Sequence, residues 1–131
     1  MSLNVSTEKL ANVTVVKGEG EIDYHNFRFL KSQVETALAE GDRKILLDLA
    51  NISYLDSSAL GSLLYNQKRV HERGGEVLVV AGDPLMDILS LTHLDSHFTM
   101  VDSVDEGCRR FSEKRERHII PLHVKSGGKK D

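Results

Sequence analysis

The chain has 131 residues and a formal net charge of −3, with 40% apolar and 28% charged residues, which suits one globular domain with a packed core. The negative charge and the scarcity of aromatic residues, 5% with no Trp, argue against direct binding of nucleic acid. Cys108 is the only cysteine, so no intrachain disulfide can form, and no apolar run approaches the ~20 residues that span a bilayer. We therefore expect a cytoplasmic protein that does not insert into a membrane.

Strand-like and helix-like segments alternate along the chain with short links between them. Alternating or continuous apolar runs predict strands at residues 3–8, 12–20, 43–49, 76–81 and 98–101. Amphipathic spacing predicts helices at 24–40 and 57–73, a short helix beginning near Pro84, and a last helix opening at Asp102. Such alternation is typical of an α/β sandwich with a mixed central sheet flanked by helices, in which the opening hairpin supplies the antiparallel pair.

The regular pattern ends near Phe111, so we assign residues 1–111 to a single domain. Residues 112–131 contain six basic and three acidic residues and the run Ser126-Gly127-Gly128. A segment of this composition has little apolar surface to bury, and we expect it to be a basic, mobile C-terminal tail.

Three polar residues, Asp56, Ser57 and Ser58, lie where the third predicted strand leads into the second predicted helix. One interpretation is a helix cap, because Asp and Ser side chains accept hydrogen bonds from the free N–H groups of a first turn. A cap needs only one such residue, however, and three are present. If Asp56 is the cap, the two serines fall in the first turn, where a hydroxyl can face solvent.

The rest of this helix carries two further features of interest. Its exposed face is predicted to continue through Ser62, Tyr65, Asn66 and Arg69. Gly61 lies inside the helix, where glycine costs ~1 kcal/mol relative to alanine. A close approach of another backbone at this point would explain why a glycine stands there.

Other patterns with chemical meaning are incomplete. The glycine-rich segment at residues 18–23 has Asp23 where a phosphate-binding fingerprint has its third glycine. The Gly-x-Ser-x-Gly turn of serine hydrolases is absent around Ser57. His93 and His97 have the spacing of a helical metal site, but no other ligand set accompanies them. We therefore expect no enzyme activity, no cofactor and no metal site.

The segment from Leu46 to Gly61, LLDLANISYLDSSALG, resembles the signature of STAS domains, the fold of bacterial anti-sigma factor antagonists. In that family an apolar strand and an aromatic–apolar pair precede Asp-Ser-Ser-Gly-Leu-Gly. Residues 20–23, 73–80 and 89–95 resemble further segments of the family pattern, in the same order. Because the similarity extends over residues 3–111, the chain is identified as a member of this family.

The resemblance implies a binding switch. Family members are phosphorylated on the serine directly after the aspartate, here Ser57, with Ser58 as a secondary site. The kinase is the partner itself, an anti-sigma factor of the GHKL type, and a PP2C-type phosphatase removes the phosphate. The unphosphorylated form binds the anti-sigma factor and frees a sigma factor. The residues expected to contact the partner are Asp23, Asp56, Ser58, Gly61, Ser62 and Tyr65.

An alternative is a STAS subunit that is not phosphorylated and serves in a signalling scaffold or a membrane lipid-transport complex. The chain departs from the family pattern at three places. Ala59 and His93 each replace a glycine, and we expect His93 to adopt a left-handed conformation. Residues 24–27, Tyr-His-Asn-Phe, replace a segment of small residues and proline, which leaves partner specificity open there. The sigma factor and the oligomeric state also stay open.

Overall fold

The structure, a computed structural model, describes residues 2–113. Its strands are β1 (Leu3–Leu10), β2 (Val13–Ile22), β3 (Lys44–Leu55), β4 (Glu76–Ala81) and β5 (Thr99–Val101). Its helices are α1 (Phe27–Ala39), α2 (Ser57–Glu72), α3 (Asp83–Leu91) and α4 (residues 104–113), with a 3-10 turn at Asp95–His97. The predicted α/β fold with a mixed sheet flanked by helices is confirmed.

The five strands form one sheet in the order β1-β2-β3-β4-β5. β1 pairs with β2 in the antiparallel sense, and every other neighbouring pair is parallel. Parallel neighbours need crossover connections, which α1, α2 and α3 provide. Because β2 and β3 run in the same direction, α1 and α2 both begin at the same end of the sheet.

Two apolar clusters lie on opposite faces of this sheet. The larger cluster joins β3 side chains, Leu47 and Leu49 among them, to buried residues of α1, α2 and α3. The smaller cluster contains Leu46, Leu78 and, from α4, Phe111. Successive side chains of a strand point to opposite faces, which is why Leu46 and Leu47 belong to different clusters. Three helices thus cover one face of the sheet, and α4 covers the other.

β3 is longer than predicted. The predicted strand ends at residue 49, whereas β3 runs to Leu55, and its last residues pair with β2 through two register irregularities. β4 pairs only as far as Leu49 and then turns at Gly82, where a Cβ would lie 2.5 Å from the Ala50 carbonyl oxygen. The end of β3 therefore extends past the end of β4, and α2 begins beyond this extension.

Smaller predictions have mixed outcomes. The turn of the predicted opening hairpin, between β1 and β2, lies at Ala11 and Asn12. The φ of 58° at His93 confirms its predicted left-handed conformation. Helix α4 includes Phe111, the last residue of the predicted domain, and is described through residue 113. The remainder of the predicted tail, residues 114–131, lies outside the described residues. Among residues 2–113, the structure contains no helix with the length and apolar character needed to cross a membrane.

Candidate functional site

The predicted site lies at the end of the sheet from which β2 and β3 lead into α1 and α2. Asp56 links β3 to α2, and residues 23–26 link β2 to α1. The Asp56 N–H donates a hydrogen bond to the Ile22 carbonyl at 3.2 Å, which joins the two connections through their backbones. The first turns of two helices, each with free N–H groups, therefore lie at one end of the molecule.

Asp56 caps α2 and also holds the neighbouring loop. Its Oδ1 accepts a hydrogen bond from the Ala59 N–H at 3.0 Å, the bond that a capping aspartate makes. Its Oδ2 accepts a second bond, from the Tyr24 N–H at 2.9 Å. One carboxylate thus fixes the start of α2 and the β2–α1 loop relative to each other. The helix dipole favours the negative charge in this position.

Asp23 and Asn26 fold the β2–α1 loop back on itself. The Asp23 carboxylate accepts hydrogen bonds from the N–H groups of His25 at 2.9 Å and Asn26 at 3.2 Å. The Asn26 side chain accepts from the Asp23 N–H at 2.9 Å and donates to the Glu21 carbonyl at 3.0 Å. These are the local bonds by which Asp and Asn side chains stabilise turns. Asp23, which is predicted to contact a partner, is only 8% exposed and holds the loop in position through these bonds.

Ser57 and Ser58 follow the cap in the first turn of α2. Ser57 is exposed and Ser58 is half-buried. Among residues 2–113, neither serine hydroxyl has a hydrogen-bond partner. The Ser57 hydroxyl is therefore accessible from solvent, next to the Asp56 carboxylate, and its removal would break no internal bond.

The solvent-facing side of α2 is narrower than predicted. Gly61 and Tyr65 are exposed, Tyr65 by 44%. Ser62 and Asn66 are only 6% and 1% exposed, so the prediction that the exposed face includes them is wrong. The Ser62 hydroxyl donates to the Ala59 carbonyl within the helix at 2.8 Å. Because α1 packs against α2, polar side chains that a lone helix would expose are covered here.

Gly61 faces open space. A Cβ added to it would meet no atom within 4 Å, so the predicted close approach of another backbone is wrong for the described residues. Gly61 lies one helical turn after Ser57 and one turn before Tyr65. The three residues follow one another along the exposed side of α2.

Comparison with known families identifies this arrangement. Residues 4–107 match the model of the STAS domain. The chain belongs to the STAS domain family. An anti-sigma F factor antagonist of Paenibacillus polymyxa is 32% identical to it over 85 residues, which make up 64% of this chain and 73% of that protein.

Solved structures agree with the family. An anti-sigma factor antagonist from Mycobacterium paratuberculosis has a TM-score of 0.75 at 25% sequence identity, and the match covers 83% of this chain and 93% of that chain. The Bacillus cell fate determinant SpoIIAA in its phosphorylated form has a TM-score of 0.66 at 20% identity, covering 82% of this chain and 99% of that one. At this identity the second similarity shows the fold alone.

The sequence did not predict the roles of two residues at the site of this STAS domain, Asn26 and Lys31. Asn26 could have been found, because Asp and Asn three positions apart before a helix are typical of a self-bonded turn. Lys31 had no local signal. Its Nζ lies 4.5 Å from the centroid of the Tyr65 ring, and this cation–π contact depends on how α1 packs against α2.

The site presents an exposed serine, exposed aromatic rings and carboxylates held by backbone amides. Among residues 2–113, no three His, Cys, Asp or Glu side chains are grouped so that they could hold a metal ion.

Proposed function

We propose that this STAS domain is an anti-sigma factor antagonist controlled by phosphorylation of Ser57, with Ser58 as a secondary site. In its unphosphorylated form it binds an anti-sigma factor in the cytoplasm and thereby frees a sigma factor. The anti-sigma factor is a GHKL-type serine kinase, which transfers the γ-phosphoryl group of ATP to Ser57 Oγ. A PP2C-type phosphatase hydrolyses the phosphate and restores the binding form. The chain acts by binding and is the substrate of both enzymes.

One observation carries this proposal. The Ser57 hydroxyl is exposed, directly follows the capping Asp56, and has no hydrogen-bond partner among residues 2–113. A kinase can reach such a hydroxyl without unfolding the helix. The bonds from Asp56 to Ala59 and Tyr24 do not involve the serine, so they can persist when it is modified.

The charge of a phosphate explains how modification would block binding. Phosphoserine adds about −1.5 to −2 charges and is favoured at a helix N-terminus by the dipole and the free N–H groups, so the fold is expected to persist. The phosphate would lie beside the Asp56 carboxylate and concentrate negative charge at the start of α2. An acidic partner surface would be repelled, and the phosphate would lose hydration in an interface.

The similarity to anti-sigma factor antagonists supports the class of partner. The exposed residues Gly61 and Tyr65 extend the proposed contact along α2, together with Ser58 beside the cap. Ser62 and Asp23 are removed from the set of direct contacts because both are nearly buried. Asp56 contributes by holding the loop and the helix together.

The proposal is tested by incubating the purified chain with ATP and each GHKL-type kinase of the same organism. We expect one kinase to add a phosphate that peptide mass spectrometry locates on Ser57. The Ser57→Ala variant should bind this kinase and lose the main phosphorylation, leaving at most modification of Ser58, and Ser58→Ala should still be modified on Ser57. A chain that no such kinase binds or modifies would contradict the proposal. Binding without phosphorylation would favour the alternative of an interaction subunit that is not switched.

A further inference from the structure

Aromatic rings and cations lie on the β2–α1 loop and along α1 and α2. Tyr24, Arg28, Lys31 and Tyr65 are these residues, and we call them the aromatic–cationic patch. Tyr24 is 65% and Tyr65 44% exposed. Arg28 is exposed and Lys31 is half-buried. Exposed apolar side chains grouped in this way mark interaction surfaces.

Tyr24 is held in place although its ring is exposed. Its backbone N–H is fixed by Asp56 Oδ2 at 2.9 Å, and its ring meets that of His25 edge-on, with 5.6 Å between centroids. An aromatic side chain on an ordered loop loses little conformational entropy when it binds. Tyr is also one of the residue types that dominate binding energy at protein interfaces.

The cations of the patch are not neutralised. Among residues 2–113, neither Arg28 nor Lys31 has a carboxylate oxygen within 4.0 Å, and each lies instead near an aromatic ring, Phe27 or Tyr65. The two carboxylates of the loop and cap, Asp23 and Asp56, accept backbone N–H groups. A partner that covers this end of the molecule therefore meets two unpaired positive charges.

We infer that the aromatic–cationic patch is the part of the interface that selects the partner. Tyr24 enters an apolar pocket of the anti-sigma factor, and Arg28 and Lys31 meet carboxylates at the rim of that pocket. This inference rests on the proposed function, and it specifies the partner's surface as acidic around an apolar centre. Phosphate on Ser57 brings about two negative charges to the same end of the molecule and offsets the attraction of two cations for that surface.

Asp56 is the positioning residue for Tyr24. An Asp56→Asn variant can still cap α2, because Asn is as favourable an N-cap as Asp. When its one carbonyl oxygen caps the helix, its NH₂ group cannot accept the bond from the Tyr24 N–H. We expect this variant to lose less stability than Asp56→Ala, to show faster hydrogen exchange at the Tyr24 amide, and to bind the partner more weakly. A merely structural role of Asp56 would leave exchange at Tyr24 unchanged.

The experiment measures, by calorimetry, binding of the unphosphorylated full chain to the kinase that modifies Ser57. Tyr24→Ala should weaken binding by about 30-fold or more, as loss of an interface hot spot does, and Tyr24→Phe should stay within about threefold. Lys31→Glu should weaken binding by about tenfold, with a reduced salt dependence. Arg110→Glu, an exposed charge on α4 across the sheet, is the matched control and should have no effect.

The outcomes separate this inference from the proposed function. In one outcome the kinase binds and modifies the wild type, but Tyr24→Ala and Lys31→Glu bind it as tightly as the control Arg110→Glu does. That outcome overturns the inference and leaves the proposed function intact. If no GHKL-type kinase binds the wild type, both fail. Circular dichroism of each variant shows whether it is folded. A second result would also overturn the inference. If Tyr24→Ala abolishes sedimentation of the chain with phosphatidylserine vesicles but leaves kinase binding unchanged, the patch binds a membrane surface.

Discussion

Two aspartates flank β3, and they stabilise the protein in different ways. Asp42, before the strand, accepts hydrogen bonds from Lys9 Nζ at 2.6 Å and Thr14 Oγ1 at 2.9 Å. It thereby connects side chains of β1 and β2 to the turn between α1 and β3. Asp56, after the strand, accepts bonds from the backbone N–H groups of Ala59 and Tyr24.

The difference distinguishes the Asp42 end of the sheet from the Asp56 end, where the proposed switch lies. A carboxylate bonded to side chains, such as Asp42, fixes those side chains in the folded state. A carboxylate bonded to backbone amides, such as Asp56, fixes the path of the chain and leaves the neighbouring side chains free. Ser57 and Tyr24, which lie next to these bonds, are both exposed. At this end of the sheet the chain can be modified or bound without losing its internal bonds.

The largest expected effect is on partner binding at the Asp56 end. Ser57→Asp places a charge where the phosphate would be, and we expect it to weaken binding to the anti-sigma kinase by roughly 100-fold through repulsion and desolvation. Ser57→Ala should bind like the wild type, and the unfolding temperature of both variants should change little. Calorimetric titration measures the affinities. An Asp variant that binds normally would remove Ser57 from the interface.

The next effect is on stability. Asp56→Ala removes the N-cap, worth ~1 kcal/mol, and the bond to the Tyr24 N–H, worth about another 1 kcal/mol, so the free energy of unfolding should fall by roughly 2 kcal/mol. Asp56→Asn should lose about half as much because it retains the cap. Urea denaturation followed by circular dichroism measures both. Equal losses of stability in the two variants would contradict the assignment of one Asp56 oxygen to the helix cap and the other to the Tyr24 N–H.

Gly61→Ala should change stability and binding in opposite directions. Alanine is favoured over glycine in a helix by ~1 kcal/mol, and the added Cβ meets no atom of the described chain within 4 Å, so the variant should unfold at a higher denaturant concentration. The same methyl group would stand between the partner and α2 and should weaken binding. A variant that is more stable and binds unchanged would show that Gly61 is not covered by the partner.

The smallest expected effect concerns the pH dependence of stability that Asp42 contributes. Burial raises the pKa of Asp42, but the hydrogen bonds from Lys9 and Thr14 and the charges of Lys9 and Arg43 outweigh it and hold the pKa below its ordinary value. The Asp42 carboxylate therefore binds a proton less tightly in the folded protein than in the unfolded chain. Its contribution to stability is fully present above the pKa that Asp42 has in the unfolded chain. That contribution is lost as the pH falls through the pKa of Asp42 in the folded protein.

Asp42→Asn should accordingly lose less stability than the wild type when the pH is lowered below about 4, the range in which a free aspartate titrates. Thermal unfolding at a series of pH values measures the difference between the two slopes. The control is Asp87→Asn, which removes one exposed carboxylate from the surface of α3. Identical slopes for Asp42→Asn and the wild type would show that Asp42 is not charged in a favourable environment.

The sequence predicted the parts of the molecule that depend on local patterns. The strand and helix order, the cap position of Asp56 and the exposure of Ser57 follow from apolar spacing and from the preference of Asp for a helix start. The left-handed conformation at His93 was predicted from the family pattern, in which a glycine stands at that position.

The rest depends on contacts between distant parts of the chain. Asp56 and Tyr24 are 32 positions apart, and nothing in either segment indicates their hydrogen bond. Ser62 and Asn66 are polar and were predicted to be exposed, yet they are buried because a second helix packs against α2. The extension of β3 to Leu55 results from pairing with β2 across two register irregularities, which no periodic pattern predicts.

The most direct test of the account follows one preparation of the protein through the whole cycle. The dissociation constant for the anti-sigma kinase is measured before modification, after complete phosphorylation of Ser57, and again after treatment with a PP2C-type phosphatase. We predict tight binding, then binding weaker by roughly 100-fold with an unchanged circular dichroism spectrum, then full recovery. The same dissociation constant in all three states, with the phosphate on Ser57 verified by mass spectrometry, would contradict the account.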